Sequence, residues 1–167
     1  MRKNAIISLI LTGFLVGCMP SYNKIKPPKY LSLPNIELDV KNIEAQNILV
    51  KIEPEMERML GFPASNSLQD WVDLKFKTIG QTGKVIIKFS QASITELTDG
   101  EYAGNLSIDI EFIKNDKVCK KITTSAKALK SFDTLISFAR KRVYLYDLLQ
   151  DLIAEAHTSI IATMNNK

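Results

Sequence analysis

Two stretches of alternating apolar and polar residues constrain the fold of this chain more than any other feature. From 102 to 112 the even positions are Tyr, Gly, Leu, Ile, Ile and Phe, while the odd positions from 101 to 111 are Glu, Ala, Asn, Ser, Asp and Glu. A second stretch from 118 to 128 repeats the pattern less strictly, with Lys, Thr, Ser and Lys at odd positions 121 to 127. Successive side chains of a strand point to opposite faces, so the pattern predicts two strands that are each buried on one face.

The parity of these stretches makes a prediction about the loop that joins them. A two-residue loop at 115–116 would place even positions opposite odd ones, so the two apolar faces would disagree. A three-residue loop at 114–116 puts Ile108 opposite Ile122 and keeps both faces consistent. We therefore expect a loop of odd length.

A third long strand is predicted from "KVIIKFSQASITEL", which begins at Lys84. Its apolar residues change from odd positions, as at Phe89, to even positions, as at Ala92. Because a slip of one residue turns every side chain to the other face, we expect a β-bulge near Ser90. Shorter strands are expected over 36–40 and 48–52, where the alternation is the same.

Two helices are expected. Ser67 is predicted to cap a helix that "GQTG" at 80–83 stops, after an irregular segment at 54–66. A long C-terminal helix is predicted from Ser131 or Asp133 to about Met164. The fold class is therefore α+β, an antiparallel sheet of three to five strands packed by two helices, including the long C-terminal helix.

The N-terminal residues have the layout of a secretory signal peptide. Arg2 and Lys3 precede a short apolar run, Ala5 to Val16. A bilayer core of about 30 Å needs about 20 apolar residues, so the run is too short to span it. A basic start followed by a short apolar run is typical of a secretory signal.

The end of this run, Leu15-Val16-Gly17-Cys18, resembles the lipobox of bacterial lipoproteins. The resemblance implies cleavage between Gly17 and Cys18, a diacylglycerol group on the Cys18 thiol, and acylation of the new amino group. Met19, rather than Asp, follows the cysteine, which favours the outer membrane, facing the periplasm. The alternative is an uncleaved anchor helix with an incidental cysteine.

The chain divides into three parts by this interpretation. Residues 1–17 are the signal peptide, and residues 18–34 are the lipidated cysteine and a tether that contains four of the six prolines. Such a proline-rich segment without periodicity is typical of an extended spacer. Residues 35–167 then form a single periplasmic domain.

Charge and composition exclude several classes of site. The net charge is +4, and Arg2 and Lys3 contribute two of the 22 basic residues against 18 acidic ones. Without Arg2 and Lys3, the numbers of basic and acidic residues are nearly equal, which does not favour nucleic-acid binding. His157 is the only histidine, and Cys119 is the only thiol left once Cys18 is lipidated. These residues predict no metal site and no cofactor.

Several reactive residues have ordinary structural interpretations. Asp109 and Glu111 lie two apart on the wet face of their strand, where solvated carboxylates are expected. Cys119 falls on the polar face of the next strand. We expect Trp71 to lie in the core and His157 to lie on the exposed surface of the last helix.

Three residues of the last helix are candidates for a contact with a partner or ligand. Arg142 interrupts the apolar stripe, either as an edge residue whose head reaches water or as the partner of a carboxylate or an anionic ligand. Val143 and Tyr144 lie off the main stripe. A helix that is apolar on more than one side has something packed on both sides. This second side could meet the N-terminal segment, a second copy or another protein.

The chain also resembles small uncharacterised lipoproteins of alphaproteobacteria. The shared features are the lipobox, "ELDVKNIE" after a proline-rich tether, a strand ending in "ASITE" and "YLYDLL" in the last helix. A more distant likeness in architecture is to auxiliary lipoproteins of ABC-type envelope transporters. The first resemblance implies no activity.

The sequence therefore predicts a membrane-anchored envelope lipoprotein that is not an enzyme. No catalytic arrangement of residues is found, so we expect the protein to scaffold or assist an envelope protein complex rather than to catalyse a reaction. The alternative is a lipid- or small-ligand-binding auxiliary component of an ABC-type envelope transporter, which would need an apolar cavity between helix and sheet.

Overall fold

The fold is taken from a computed structural model, which describes residues 27–46, 51–52, 54–61, 63–133 and 135–165. A short 3-10 helix, Lys29–Ser32, comes first. The strands are β1 (Ile36–Leu38), β2 (Asn42–Gln46), β3 (Lys51–Ile52), β4 (Phe76–Thr78), β5 (Lys84–Thr98), β6 (Glu101–Lys114) and β7 (Lys117–Ser131). The helices are α1 (Pro54–Leu60), α2 (Ala64–Lys75) and α3 (Phe138–Asn165).

The main sheet has five strands in the order β2-β5-β6-β7, with β3 beside another part of β5. The β5–β6 and β6–β7 pairs are antiparallel, whereas β2 and β3 run parallel to β5. Strands β1 and β4 form a separate parallel pair. The predicted α+β class is thus confirmed, with α1 as a third helix.

The segment predicted to be irregular, 54–66, is mostly helical. Pro54 begins α1, and Pro63 is the N-cap residue of α2. Proline is well placed at the start of a helix because its missing N–H would have no partner there. Ser67 therefore lies inside α2 rather than capping it.

The end of α2 also differs from the prediction. The helix stops at Lys75, and Phe76 to Thr78 form β4, which pairs with β1. "GQTG" is the loop that follows β4. The apolar residues that suggested a longer helix belong partly to α2 and partly to β4. Over so short a run, helical spacing alone cannot distinguish a continuing helix from a strand.

The predicted bulge in β5 is confirmed. The β5–β6 register shifts between Phe89 and Gln91, so the unpaired residue is Ser90. Val85, Ile87, Ala92 and Ile94 consequently all belong to the core.

The predicted three-residue loop between β6 and β7 is wrong. Asn115 and Asp116 form a two-residue turn with φ values of 51° and 59°, the left-handed conformation that tight hairpins require. A register shift at Phe112 inserts one extra residue into β7 at Cys119. This bulge restores the agreement of the apolar faces that the two-residue turn alone would have destroyed.

Helix α3 packs along the inner face of the sheet and begins later than predicted. Ser131 ends β7, and Ser137 accepts a hydrogen bond from the Arg140 backbone N–H at 3.4 Å, as an N-cap residue does. Gly104 lies directly beneath the helix. A Cβ at that position would be 2.5 Å from Cδ1 of Leu152, so glycine permits the close approach of helix and sheet.

Candidate contact surface at the start of helix α3

The three candidate contact residues lie in the first two turns of α3. Of these, Arg142 and Val143 are half-buried and Tyr144 is 37% exposed. The lipidation and cleavage residues, Cys18 and Gly17, lie outside the described residues.

Arg142 packs on the end of α1. Its guanidinium is so close to Gly61 that a Cβ there would be 2.7 Å from Cζ. This position is next to the C-terminal end of α1, where the helix dipole favours a positive charge. The buried Nε has no hydrogen-bond partner among the described residues. Among the described residues, no carboxylate forms an ion pair with Arg142.

Tyr144 is the outer member of an aromatic stack. Its ring lies 5.2 Å from that of Phe132, which lies 4.9 Å from that of Tyr102. The ammonium group of Lys141 lies 5.1 Å above the Tyr102 ring. Burial raises the pKa of Tyr102, and the nearby Glu96 carboxylate raises it further. This stack fastens the start of α3 to the ends of β6 and β7.

Large exposed apolar side chains concentrate at this end of the domain. Five of the nine such residues in the described ranges lie here: Leu97, Leu129, Leu135, Phe138 and Tyr144. We call this group the tip. Leu135 is the most exposed of them, at 91%. Leu135 lies in the loop before α3, and Phe138 is the first residue of the helix.

Basic residues surround the tip. Arg140, Lys141 and Arg142 are consecutive, and the first turn of α3 has no acidic residue. Since the N-terminal end of a helix favours negative charge, this arrangement is locally unfavourable. Lys141 lies 3.9 Å from Glu96, whereas Arg140 is exposed and has no ion pair in the described ranges.

An ion-pair cluster fixes the N-terminal segment to α3. Lys29 lies 2.8 Å from Asp147 and 2.5 Å from Asp151, and Lys130 of β7 contacts both carboxylates. Burial opposes ionisation of Asp147, but hydrogen bonds from Lys130 and Lys29 hold its pKa below the usual value. The cluster joins three parts of the chain that are distant in sequence.

His157 is buried, which corrects the prediction of an exposed residue. It is 0% exposed, and its Nδ1 accepts a hydrogen bond from the Trp71 indole N–H at 3.1 Å. Burial lowers the pKa of His157, Lys75 lowers it further, and the Pro34 carbonyl acts in the opposite direction. Trp71 is also 0% exposed, so its predicted place in the core is confirmed.

Helical spacing could have identified His157 as buried. It lies four residues after Ile153 and three before Ile160, both of which are 0% exposed. The prediction places His157 away from the apolar stripe, but the buried face of α3 includes it.

The carboxylates of the outer sheet face are paired rather than free. Glu111 lies 2.5 Å from Lys88, and Asp109 lies 3.1 Å from Lys121. A hydrogen bond from Thr123 lowers the pKa of Asp109, although burial opposes this shift. The network occupies both carboxylates with cationic partners, which suits a stable sheet surface. Cys119 is exposed, as its parity predicted.

The space between α3 and the sheet is small. A cavity of about 10 Å³ lies there, lined mainly by apolar residues that include Leu68, Leu106 and Leu152. About 10–15 Å³ is needed to hold a single water molecule. A larger open groove of about 350 Å³ lies between α2, β2 and β4. In the described part of the chain, no acidic, histidine or cysteine cluster could hold a metal ion, and no helix is both long and apolar enough to cross a bilayer.

No family model and no curated protein matches the sequence. Similar solved structures include a protein from Xanthomonas campestris, with a TM-score of 0.43 and 11% identity over 78% of this chain and 85% of that one. A minor lipoprotein from Acinetobacter baumannii has a TM-score of 0.40 and 12% identity, covering 78% of this chain and 96% of its own. The rare lipoprotein B from Shewanella oneidensis has a TM-score of 0.36 and 11% identity, covering 75% and 98%. These neighbours include lipoproteins, but at such identities and TM-scores the likeness establishes neither family nor function.

Proposed function

We propose that this chain is a non-enzymatic envelope lipoprotein, anchored through Cys18 to the periplasmic side of the outer membrane. The observation that carries the proposal is the tetrapeptide Leu15-Val16-Gly17-Cys18 after a basic start and a short apolar run. Two or three acyl chains on one residue would hold the protein firmly, because a single chain gives only marginal membrane binding.

The domain would then scaffold or assist an envelope protein complex. Large exposed apolar residues concentrate at the tip, which supports a role in binding to a membrane surface or a partner. Contiguous exposed apolar surface marks sites of interaction. Of the three expected contact residues, Tyr144 offers the most surface, since Arg142 and Val143 are half-buried.

The anchor is tested by metabolic labelling with palmitate. The wild type and Cys119→Ala should be labelled equally, while Cys18→Ala should lose the label and keep the signal segment. Cys119→Ala is the matched control because it removes the other cysteine of the chain. Labelling and cleavage of Cys18→Ala would contradict the proposal.

The scaffolding role is tested in cells with a photo-reactive amino acid at Thr123, on the outer sheet face, and at Tyr144. A protein adduct from either position would identify the partner. Adducts from neither position would count against a scaffold.

The alternative is a ligand-binding auxiliary component of a transporter. The open groove beside Val72 and Phe76 is a better candidate for its ligand than the small space under α3. Native mass spectrometry of the purified protein, before and after delipidation, would show a bound lipid or small molecule.

A further inference from the structure

The N-terminal segment approaches the domain from the direction of the tip. Lys29 contacts Asp147 and Asp151, and the backbone carbonyl of Pro34 lies beside His157. The chain from Lys29 to Pro34 therefore runs along α3 in the same direction as the helix. The described part of the segment therefore begins on the side where α3 starts.

The length of the tether limits the distance between the domain and its anchor. Eight residues separate Cys18 from Pro27, and the link between the two spans at most about 30 Å when fully extended. Asp151 is itself only about 20 Å along the helix axis from Phe138. A link of this length is enough for the tip to reach the bilayer, and the described chain begins closer to the tip than to the opposite end of the sheet.

The chemistry of the tip suits an anionic bilayer surface. Leu135 and Phe138 are 91% and 57% exposed, and Arg140 beside them is exposed without an ion pair in the described ranges. Apolar side chains next to cationic ones are typical of segments that lie in the membrane interface. A phosphate group would also offset the unfavourable placement of Arg140 in the first turn of α3.

We propose that the tip docks on the bilayer in which Cys18 is anchored. Leu135 and Phe138 enter the boundary between headgroups and acyl chains, and Arg140 binds the phosphates of anionic phospholipids. The domain then has one orientation relative to the membrane, which leaves the outer sheet face and the β6–β7 turn accessible to a protein partner. This inference rests on the anchor of the proposed function.

The test uses the mature lipidated protein in vesicles of phosphatidylethanolamine and phosphatidylglycerol. A fluorophore is attached to Leu135→Cys or to the control Val118→Cys, each in a Cys119→Ser background. Val118 is exposed too, but it lies about 40 Å away along β7. Trp71 fluorescence verifies that each variant is folded. Lipids with a nitroxide on the acyl chain should quench the label at 135 several-fold more than the label at 118.

Charge is tested by Arg140→Gln against Lys117→Gln, which removes a positive charge beside the β6–β7 turn. Arg140→Gln should reduce the quenching at 135, and Lys117→Gln should leave it unchanged. Equal quenching at 135 and 118 would overturn the proposal. In cells, a photo-reactive residue at 138 should form an adduct with lipid, and an adduct with a protein instead would also overturn it. Flotation with vesicles separates the two hypotheses: protein that does not float lacks the anchor, whereas protein that floats without quenching at 135 refutes only the docking.

Discussion

His157 and Trp71 form a buried polar pair that fixes the ionisation state of the histidine. Because Nδ1 accepts the indole N–H, that nitrogen must be unprotonated. The neighbouring charge of Lys75 and the loss of hydration both disfavour the imidazolium ion. The neutral ring is therefore part of the folded state.

The first prediction follows from the lowered pKa of His157. Above its ordinary pKa of 6.5 the ring is neutral in both states, so His157 adds no pH dependence to stability there. Below that pH the unfolded chain binds a proton that the folded protein excludes. The free energy of unfolding should then fall as pH falls, by at most about 1.4 kcal/mol per pH unit.

Urea unfolding between pH 7.5 and 5.5, followed by the fluorescence of Trp71, measures this slope. His157→Gln, whose amide oxygen can still accept from the indole, should flatten it. Asp109 and Asp147 also have lowered pKa values, but their contribution is lost only at more acidic pH. An unchanged slope in the variant would contradict the assignment.

At the scale of elements, the packing of α3 on the sheet depends on a glycine. Gly104 faces Leu152, which is 2% exposed, on the inner side of β6. The missing side chain lets the helix come close to the sheet, and the cavity beside Leu152 has a volume of only about 10 Å³.

The second prediction concerns this contact. Gly104→Ala should destabilise the fold by about 1–3 kcal/mol, because the new methyl group overpacks a filled region. Leu152→Ala alone should cost about 2–5 kcal/mol through the cavity that it leaves. In the double variant the methyl group enters that cavity, so the cost of Gly104→Ala should disappear. Additive losses in urea unfolding would show that the two residues are not coupled.

At the scale of the whole molecule, contacts with distant parts of the chain fix the route of the described N-terminal segment. Lys75 is 7% exposed and donates hydrogen bonds to the carbonyl oxygens of Leu31, at 3.0 Å, and Leu33, at 2.7 Å. Together with the Lys29 ion pairs, these bonds hold the segment along α2 and α3.

The third prediction is that Lys75→Met releases this segment without unfolding the sheet. Loss of both bonds should weaken docking by about 2 kcal/mol, which corresponds to more than a tenfold faster cleavage of the Lys29–Tyr30 bond by trypsin. Lys77→Met is the matched control, since Lys77 contacts only the Asp73 carbonyl at the end of α2 among the described residues. Equal cleavage rates in the two variants would be inconsistent with this role.

Local periodicity by itself determined much of this protein. The alternation at 102–112, the change of phase at Ser90 and the single stripe of α3 each depend on neighbours along the chain, so the strands, the β5 bulge and the long helix could be predicted. The lipobox is likewise a local pattern, and it remains the basis of the anchor prediction.

Tertiary structure decided the features that depend on distant partners. The β6–β7 turn can have two residues because a bulge at Cys119 corrects the register of β7. Only the pairing with β6 determines where that bulge lies. Trp71 supplies the hydrogen bond of the buried His157, and β4 forms because β1 lies beside it. The N-terminal segment runs beside α3 because Lys29 meets Asp147 and Asp151. Such contacts join residues more than 80 positions apart or in separate strands, where no period in the sequence carries the information.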